Sequence, residues 1–248
     1  MNIDFKEILE YAELSSVVYA SDNVILAIHP NAIIREVVDL GLKVFILPDH
    51  INKVYWISCR GTANTENIWV DLQYTKSTQN LLDVPLHEGF YKSALAIYDK
   101  ILRELPNNTY QIRLTGHSLG GAIAVILMML LSKTRIIDKC ITFGQPKVTT
   151  KIGAIKYKQL PLLRVIEDED PVPLIPPLTL WTAVNHGMYR HFGKALILAE
   201  DDSYEYLDEP QAESIWRSSF WLKLGREDTK EHRMLDYTDN IKLKIAIP

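Results

Sequence analysis

The run LTGHSLGGAIAVILMML, Leu114 to Leu130, narrows the possible folds of this chain more than any other segment. Gly116, Ser118 and Gly120 spell G-x-S-x-G within it. The preceding YQIRLT, Tyr110 to Thr115, alternates apolar and polar residues as a strand does, and Ala122 to Leu131 has the length and Ala/Leu/Met content of a buried helix. The serine is therefore expected on a sharp strand-to-helix turn, with its hydroxyl presented above the sheet edge. Such a turn has no room for bulk at Gly116 and Gly120. The same geometry aims the backbone N–H of Leu119, at the helix start, at any negative charge that develops beside Ser118.

The 248 residues suffice for one large α/β domain, and no Gly/Ser linker, repeat or low-complexity tract divides them, so a single domain over 1–248 is expected. With 47% hydrophobic and 23% charged residues, the composition is that of an ordinary globular protein. A formal net charge of -4 gives no electrostatic footprint for nucleic acid, which is not expected as a partner. Cys59 and Cys140 lie in the apolar strand-like runs VYWISC and CITFG, where reduced, buried thiols are expected. Asp4, Lys6, Glu7, Glu10 and Glu13 break up any signal-like apolar core at the amino end. The chain as written therefore reads as cytoplasmic, with export by a route needing no cleavable signal left open. The longest apolar run, Leu119 to Leu131, is short for a membrane span and contains two glycines, so it reads as a core helix.

Helical spacing of Phe5, Ile8, Leu9, Ala12 and Val17 predicts an amphipathic helix over 4–20. Strands are predicted at Val24 to Ile28, Lys43 to Leu47, VYWISC, Cys140 to Phe143 and Leu162 to Ile166, with a helix from Glu88 to Leu105. This alternation predicts a mainly parallel central sheet with helices on both faces. The last third reads as a hairpin around Thr182 to Leu198, an acidic stretch, an aromatic helix and a polar segment holding His232.

A serine hydroxyl needs a histidine to take its proton, and that histidine usually needs a carboxylate to fix its tautomer. In α/β-hydrolase order the acid follows the serine and the histidine comes last. Glu167, Asp168, Glu169 and Asp170, at the end of the Leu162 to Ile166 strand, are the candidate acids, and position alone does not choose among them. Of the downstream histidines, His186 and His191 sit in a strand-like run with aromatic neighbours, as structural histidines do. His232 lies in the polar TKEHRMLDY, and order and context favour it as the base.

Several separated segments together resemble the class 3, or fungal-type, lipases: CRGT with NIWVDL, PLHEGF, GHSLGG, TFGQPKV, RVIEDEDPVPLIP, YRHFGK and EHRMLDY, in that order. The resemblance implies an α/β-hydrolase fold and a serine carboxylester hydrolase, an acylglycerol lipase or phospholipase A type. It implies Ser118 as nucleophile, Asp170 as acid through its D-x-V-P element, and His232 as base, and it disfavours His191. It further implies Thr62 and Leu119 as oxyanion donors, and a lid over 63–84 with an apolar patch at Ile68, Trp69 and Val70; core packing of Trp69 is the alternative. Implied partners are a lipid ester and a transient membrane or micelle surface, with no metal or organic cofactor. His87, Glu88, Arg60 and Asp71 read as structural. The chain departs from many members at Glu167, where they have asparagine, and at Thr149 and Thr150, where they have glycine and asparagine. Trp216, Phe220, Trp221, Leu222 and Leu224 form an aromatic cluster suited to an acyl pocket or to ordinary core. The acidic stretch from Glu200 to Glu209 lacks the ligand and glycine spacing of a calcium loop and reads as a solvated face. Two other functions stay open: a small-ester esterase, and a catalytically silent lipid-binding module on the same fold.

Overall fold

A computed structural model describes residues 3–61, 76–175, 189–199, 201–208 and 232–246. Its helices, in chain order, are α1 (Phe5–Val17), α2 (Asp22–Ile28), α3 (Glu88–Ile101), α4 (Leu119–Leu131), α5 (Lys151–Tyr157) and α6 (Met234–Ile245). Its strands are β1 (Ile33–Val37), β2 (Leu42–Asp49), β3 (Val54–Arg60), β4 (Lys76–Ser77), β5 (Leu86–His87), β6 (Gln111–His117), β7 (Ile137–Phe143), β8 (Thr149–Thr150), β9 (Leu162–Glu167), β10 (Tyr189–Arg190), β11 (Lys194–Leu198) and β12 (Tyr204–Leu207).

The main sheet has the order β1-β2-β3-β6-β7-β9-β11-β12. Strands β3, β6, β7, β9 and β11 run parallel, and β1, β2 and β12 add antiparallel edges. Side-chain alternation sorts the strand residues between two cores. Ile57 and Cys59 of β3 with Ile112 and Leu114 of β6 pack with α3 and α4 on one face. Ile141 and Phe143 of β7, Val165 of β9, and Leu196 and Leu198 of β11 pack with α1 and α6 on the other. Helix α4 is apolar on every side because it lies between the sheet and α3, and Gly120 to Leu131 are all buried. On the α1 face the alternation turns Ser58 and Thr115 inward. Ser58 Oγ donates to the Leu14 carbonyl at 2.9 Å, and Thr115 Oγ1 lies 2.7 Å from Ser15 Oγ, so both buried hydroxyls are satisfied. Cys59 and Cys140 are free and buried.

A second, antiparallel sheet has the order β10-β8-β5-β4. Thr149 and Thr150, the departure noted in the sequence, form β8 within it. Thr149 Oγ1 donates to the Pro85 carbonyl at 2.7 Å and closes onto Gly153, where a Cβ would lie 1.9 Å from that oxygen. His87 caps α3 by accepting from the Phe90 N–H at 3.4 Å, and its ring stacks on Phe90 at 3.9 Å. Burial lowers its pKa to about 4, as suits a neutral structural imidazole.

Two expectations are corrected. Val24 to Ile28 is part of helix α2, not a strand; its five apolar residues are too few for periodicity to decide, and only Ile25 is buried. The strand that pairs with β2 is Ile33–Val37 instead. The hairpin around Thr182 to Leu198 is not formed by its described part, because Tyr189–Arg190 joins the second sheet and Lys194–Leu198 the main one. The hairpin partner of β11 is β12, inside the stretch read as an acidic solvated face. Asp201 accepts from the Ser203 N–H at 2.9 Å in the turn between them. Among the described residues, no helix is long and apolar enough to cross a membrane.

Candidate active site

Strand register sets the geometry of the site. Cys59 pairs with Gly116 and Gly116 with Thr142, so the carboxyl ends of β3, β6 and β7 finish level with one another. Ser118 follows β6 and caps α4 at φ 57°, ψ −128°, a left-handed backbone that costs a non-glycine residue on the order of 1–3 kcal/mol. Its N–H donates to the Phe143 carbonyl at 2.9 Å. The glycines answer to contacts as well as to the turn: a Cβ on Gly116 would lie 2.4 Å from the Gly120 carbonyl oxygen, and one on Gly120 would lie 2.2 Å from that of Cys59. Helix α4 thus starts in direct contact with the end of β3. A Cβ on Gly61 would meet Gly120 N and Leu119 Cβ at 3.0 Å, so the chain leaving β3 passes beside Leu119. Leu119 is the first residue of α4, where backbone N–H groups have no partner within the helix.

Asp170 follows β9 across a short turn closed by its N–H on the Glu167 carbonyl at 3.0 Å. The carboxylate is completely buried and fully engaged. Oδ1 accepts from the Val172 N–H at 2.8 Å; Oδ2 accepts from Tyr237 Oη at 2.5 Å and from His232 Nδ1 at 2.8 Å. Tyr237 accepts in turn from the Glu167 N–H at 3.2 Å. Burial, and then the charge of Asp170, raise the Tyr237 pKa well above 10, which keeps it a donor. The bond to Asp170 places the His232 proton on Nδ1 and leaves Nε2 as an acceptor. Ser118 Oγ and His232 Nε2 are both buried and, among the described residues, make no hydrogen bond to each other or to another group. Gly144, at φ 54°, backs the pair: a Cβ there would lie 2.7 Å from Asp170 Oδ2 and 2.9 Å from His232 Nδ1. The next residue back, Phe143, holds the N–H of Ser118, so serine, histidine and acid meet at the end of β7.

A protein-family model for lipase (class 3) matches residues 56–180, half of the chain. The chain belongs to the class 3 lipase family. It is 27% identical over 159 residues to the secreted mono- and diacylglycerol lipase 1 of Fusarium solani, covering 61% of this chain and 46% of that protein. It is 30% identical over 145 residues to the secreted mono- and diacylglycerol lipase A of Penicillium cyclopium, covering 55% and 47%. The chain spans about half the length of these curated relatives. The crystal structure of a lipase from Rhizopus microsporus var. chinensis shares its fold with a TM-score of 0.62 at 23% identity, covering 78% of this chain and 74% of that one. The fold of this class 3 lipase family member is therefore the α/β-hydrolase fold.

Of the candidate acids, only Asp170 touches His232 in the described structure. Asp168 is exposed and Glu169 half-buried. Glu167 is buried and accepts from Asn240 Nδ2 at 2.9 Å; desolvation raises its pKa to about 8. His191 donates from Nε2 to the Pro173 carbonyl at 2.7 Å. His232 was expected in a polar loop, but it is fully buried at the entry to α6. Arg60 donates to the Gly41 carbonyl at 2.9 Å and ties the end of β3 to the start of β2. Thr62, Ile68, Trp69, Val70, Asp71, His186 and the cluster from Trp216 to Leu224 lie outside the described residues. Sequence reasoning gave no role to Tyr237 or Gly144. Tyr237 could have been found from its place five residues after His232 in EHRMLDY, whereas Gly144 shows only as the glycine of TFGQP.

Proposed function

We propose that this chain is a serine carboxylester hydrolase of lipid esters, built as one α/β-hydrolase domain over 1–248. The observation that carries the reading is the buried His232–Asp170 pair beside a strained, uncommitted Ser118. Ser118 Oγ attacks the ester carbonyl while His232 Nε2 takes its proton, and Asp170 stabilises the imidazolium that forms. The Leu119 N–H, and the N–H and hydroxyl of Thr62 on the segment leaving Gly61, donate to the tetrahedral oxyanion, each donor worth about 3 kcal/mol of barrier. His232 then protonates the leaving alcohol. Water attacks the acyl-enzyme by the same route, and no metal or organic cofactor takes part. Acylglycerols are the favoured substrate, because similar proteins are named mono- and diacylglycerol lipases and a triacylglycerol lipase. The enzyme meets them transiently at a membrane or micelle surface, with Ile68, Trp69 and Val70 as lid residues.

The test is product analysis on mixed acylglycerols and phospholipids, wild type beside Ser118→Ala. Release of fatty acid by the wild type and none by the variant is expected, and the products name the lipid. Equal release by both proteins would sink the assignment of Ser118.

A further inference from the structure

His117 stands next to Ser118, yet no step of acyl transfer uses it. It ends β6, is 2% exposed, and its ring centroid lies 4.5 Å from that of His232 with the planes 33° apart. Its Nε2 is 2.6 Å from the His232 backbone carbonyl. A carbonyl only accepts, so Nε2 carries a proton. In a neutral imidazole Nδ1 is then the acceptor, and Tyr19 Oη, 3.3 Å away, satisfies it by donating. Tyr19 lies in the turn that closes α1, where its N–H donates to the Ser16 carbonyl at 3.1 Å. One chain of contacts therefore runs from the turn that closes α1, through Tyr19 and His117, to the backbone of His232. Burial, and then the neighbouring His232, hold the His117 pKa well below the usual histidine value, which keeps the ring neutral. The titratable groups facing it are His232, Tyr19 and Tyr237, the last with its ring 5.9 Å away.

We propose that His117 is a positioning residue for His232, a neutral imidazole fixed by Tyr19 in its Nε2–H tautomer so that it holds the backbone of the base and packs, tilted, against its ring. The need for it is geometric. With Nδ1 held by Asp170, the His232 ring can still pivot if its own backbone shifts, because Cγ moves with Cβ and Cα, and that pivot swings Nε2 away from Ser118. The His117 contacts supply the second constraint. A misplacement of about 1 Å at such a position costs on the order of a hundredfold in rate. Neutrality matters too, since a cation 4.5 Å from the His232 ring would oppose the imidazolium formed during attack.

The proposal rests on the acyl-transfer reading, so its test has two arms. The first compares Tyr19→Phe, His117→Gln and His117→Leu in the full chain, with kcat and KM for p-nitrophenyl butyrate measured separately and a thermal melt for each. His117→Leu is expected to lower kcat about a hundredfold with KM within about twofold. His117→Gln, which can still donate to the carbonyl, recovers kcat to within about tenfold of wild type, and Tyr19→Phe loses about tenfold. If His117→Leu does not fold, the other two variants decide. Wild-type kcat in folded His117→Leu or in folded Tyr19→Phe, a Gln variant no better than folded Leu, or a loss confined to KM would overturn the proposal. The second arm follows the downfield proton of the His232 Nδ1–H by NMR and needs no turnover. The signal is expected to be sharp in wild type and His117→Gln and broadened in Tyr19→Phe; a signal equally sharp in all three overturns the proposal. If the wild type hydrolyses no ester while the signal behaves as expected, acyl transfer fails and the positioning role stands.

Discussion

Asp170 Oδ2 receives both Tyr237 Oη and His232 Nδ1, so a change of one atom at this residue removes both its charge and its hold on the His232 tautomer. Asp170→Asn presents an N–H or a weaker acceptor to His232 and favours the wrong tautomer; kcat is expected to fall about ten-thousandfold with the fold intact, read by steady-state kinetics beside circular dichroism. Tyr237→Phe removes one donor to that carboxylate and the acceptor of the Glu167 N–H, and should lower both kcat and the melting temperature. Gly144→Ala places a methyl against Asp170 and His232 at a positive φ, and should lower both kcat and the melting temperature, read by steady-state rates and thermal melts. The turn at Ser118 was legible because its signal is local: strand, turn and helix sit side by side in sequence. Asp170 was not separable from Glu167, Asp168 and Glu169 by position, since what sets it apart from Glu167, its contacts with His232 and Tyr237 against that of Glu167 with Asn240, comes from residues more than sixty positions away. Separation in sequence also hid the contacts of Tyr237, Gly144 and His117.

Elements with long, strongly apolar or regularly spaced sequences were read correctly, as α1, α3, α4, β3, β7 and β9 show. The misread elements are short. In α2 a continuous apolar run carries no period, and in β12 the sequence YEYL was hidden by acidic neighbours whose side chains serve the adjoining turn. Helix α4 offers a prediction at this scale: Leu127→Ala, deep between the sheet and α3, should cost about 2–5 kcal/mol in denaturant unfolding. Another lies where α6 meets β9 through Asn240 and Glu167. The pKa of Glu167 rises from 4.5 to about 8 on folding, chiefly through burial. Between those values the native chain holds a proton that the unfolded chain has released, so this group lowers stability as pH rises through the window and adds no further change above it. Thermal melts of Glu167→Gln should therefore gain on wild type from pH 5 to pH 8; a constant gap would show that Glu167 ionises freely in the native state.

For the whole molecule, the site exists because the parallel strands end together and both helical layers reach that edge. Helix α4 brings Ser118 and Leu119 from one face, and α6 brings Tyr237 from the other beside His232. The class of fold could be read from the alternation of strands and helices, and the family from motifs spread over most of the chain. Neither could reveal that the acid and the base are sealed from solvent, which depends on packing between the two ends of the sequence. The central claim is that Ser118 is the nucleophile driven by His232 and Asp170. Its most direct measurement is peptide mapping by mass spectrometry after treating the folded protein with an alkyl fluorophosphonate. A single adduct on Ser118, lost in His232→Ala, is the predicted result; folded wild-type protein that carries no adduct, or carries it on another residue, would contradict the account.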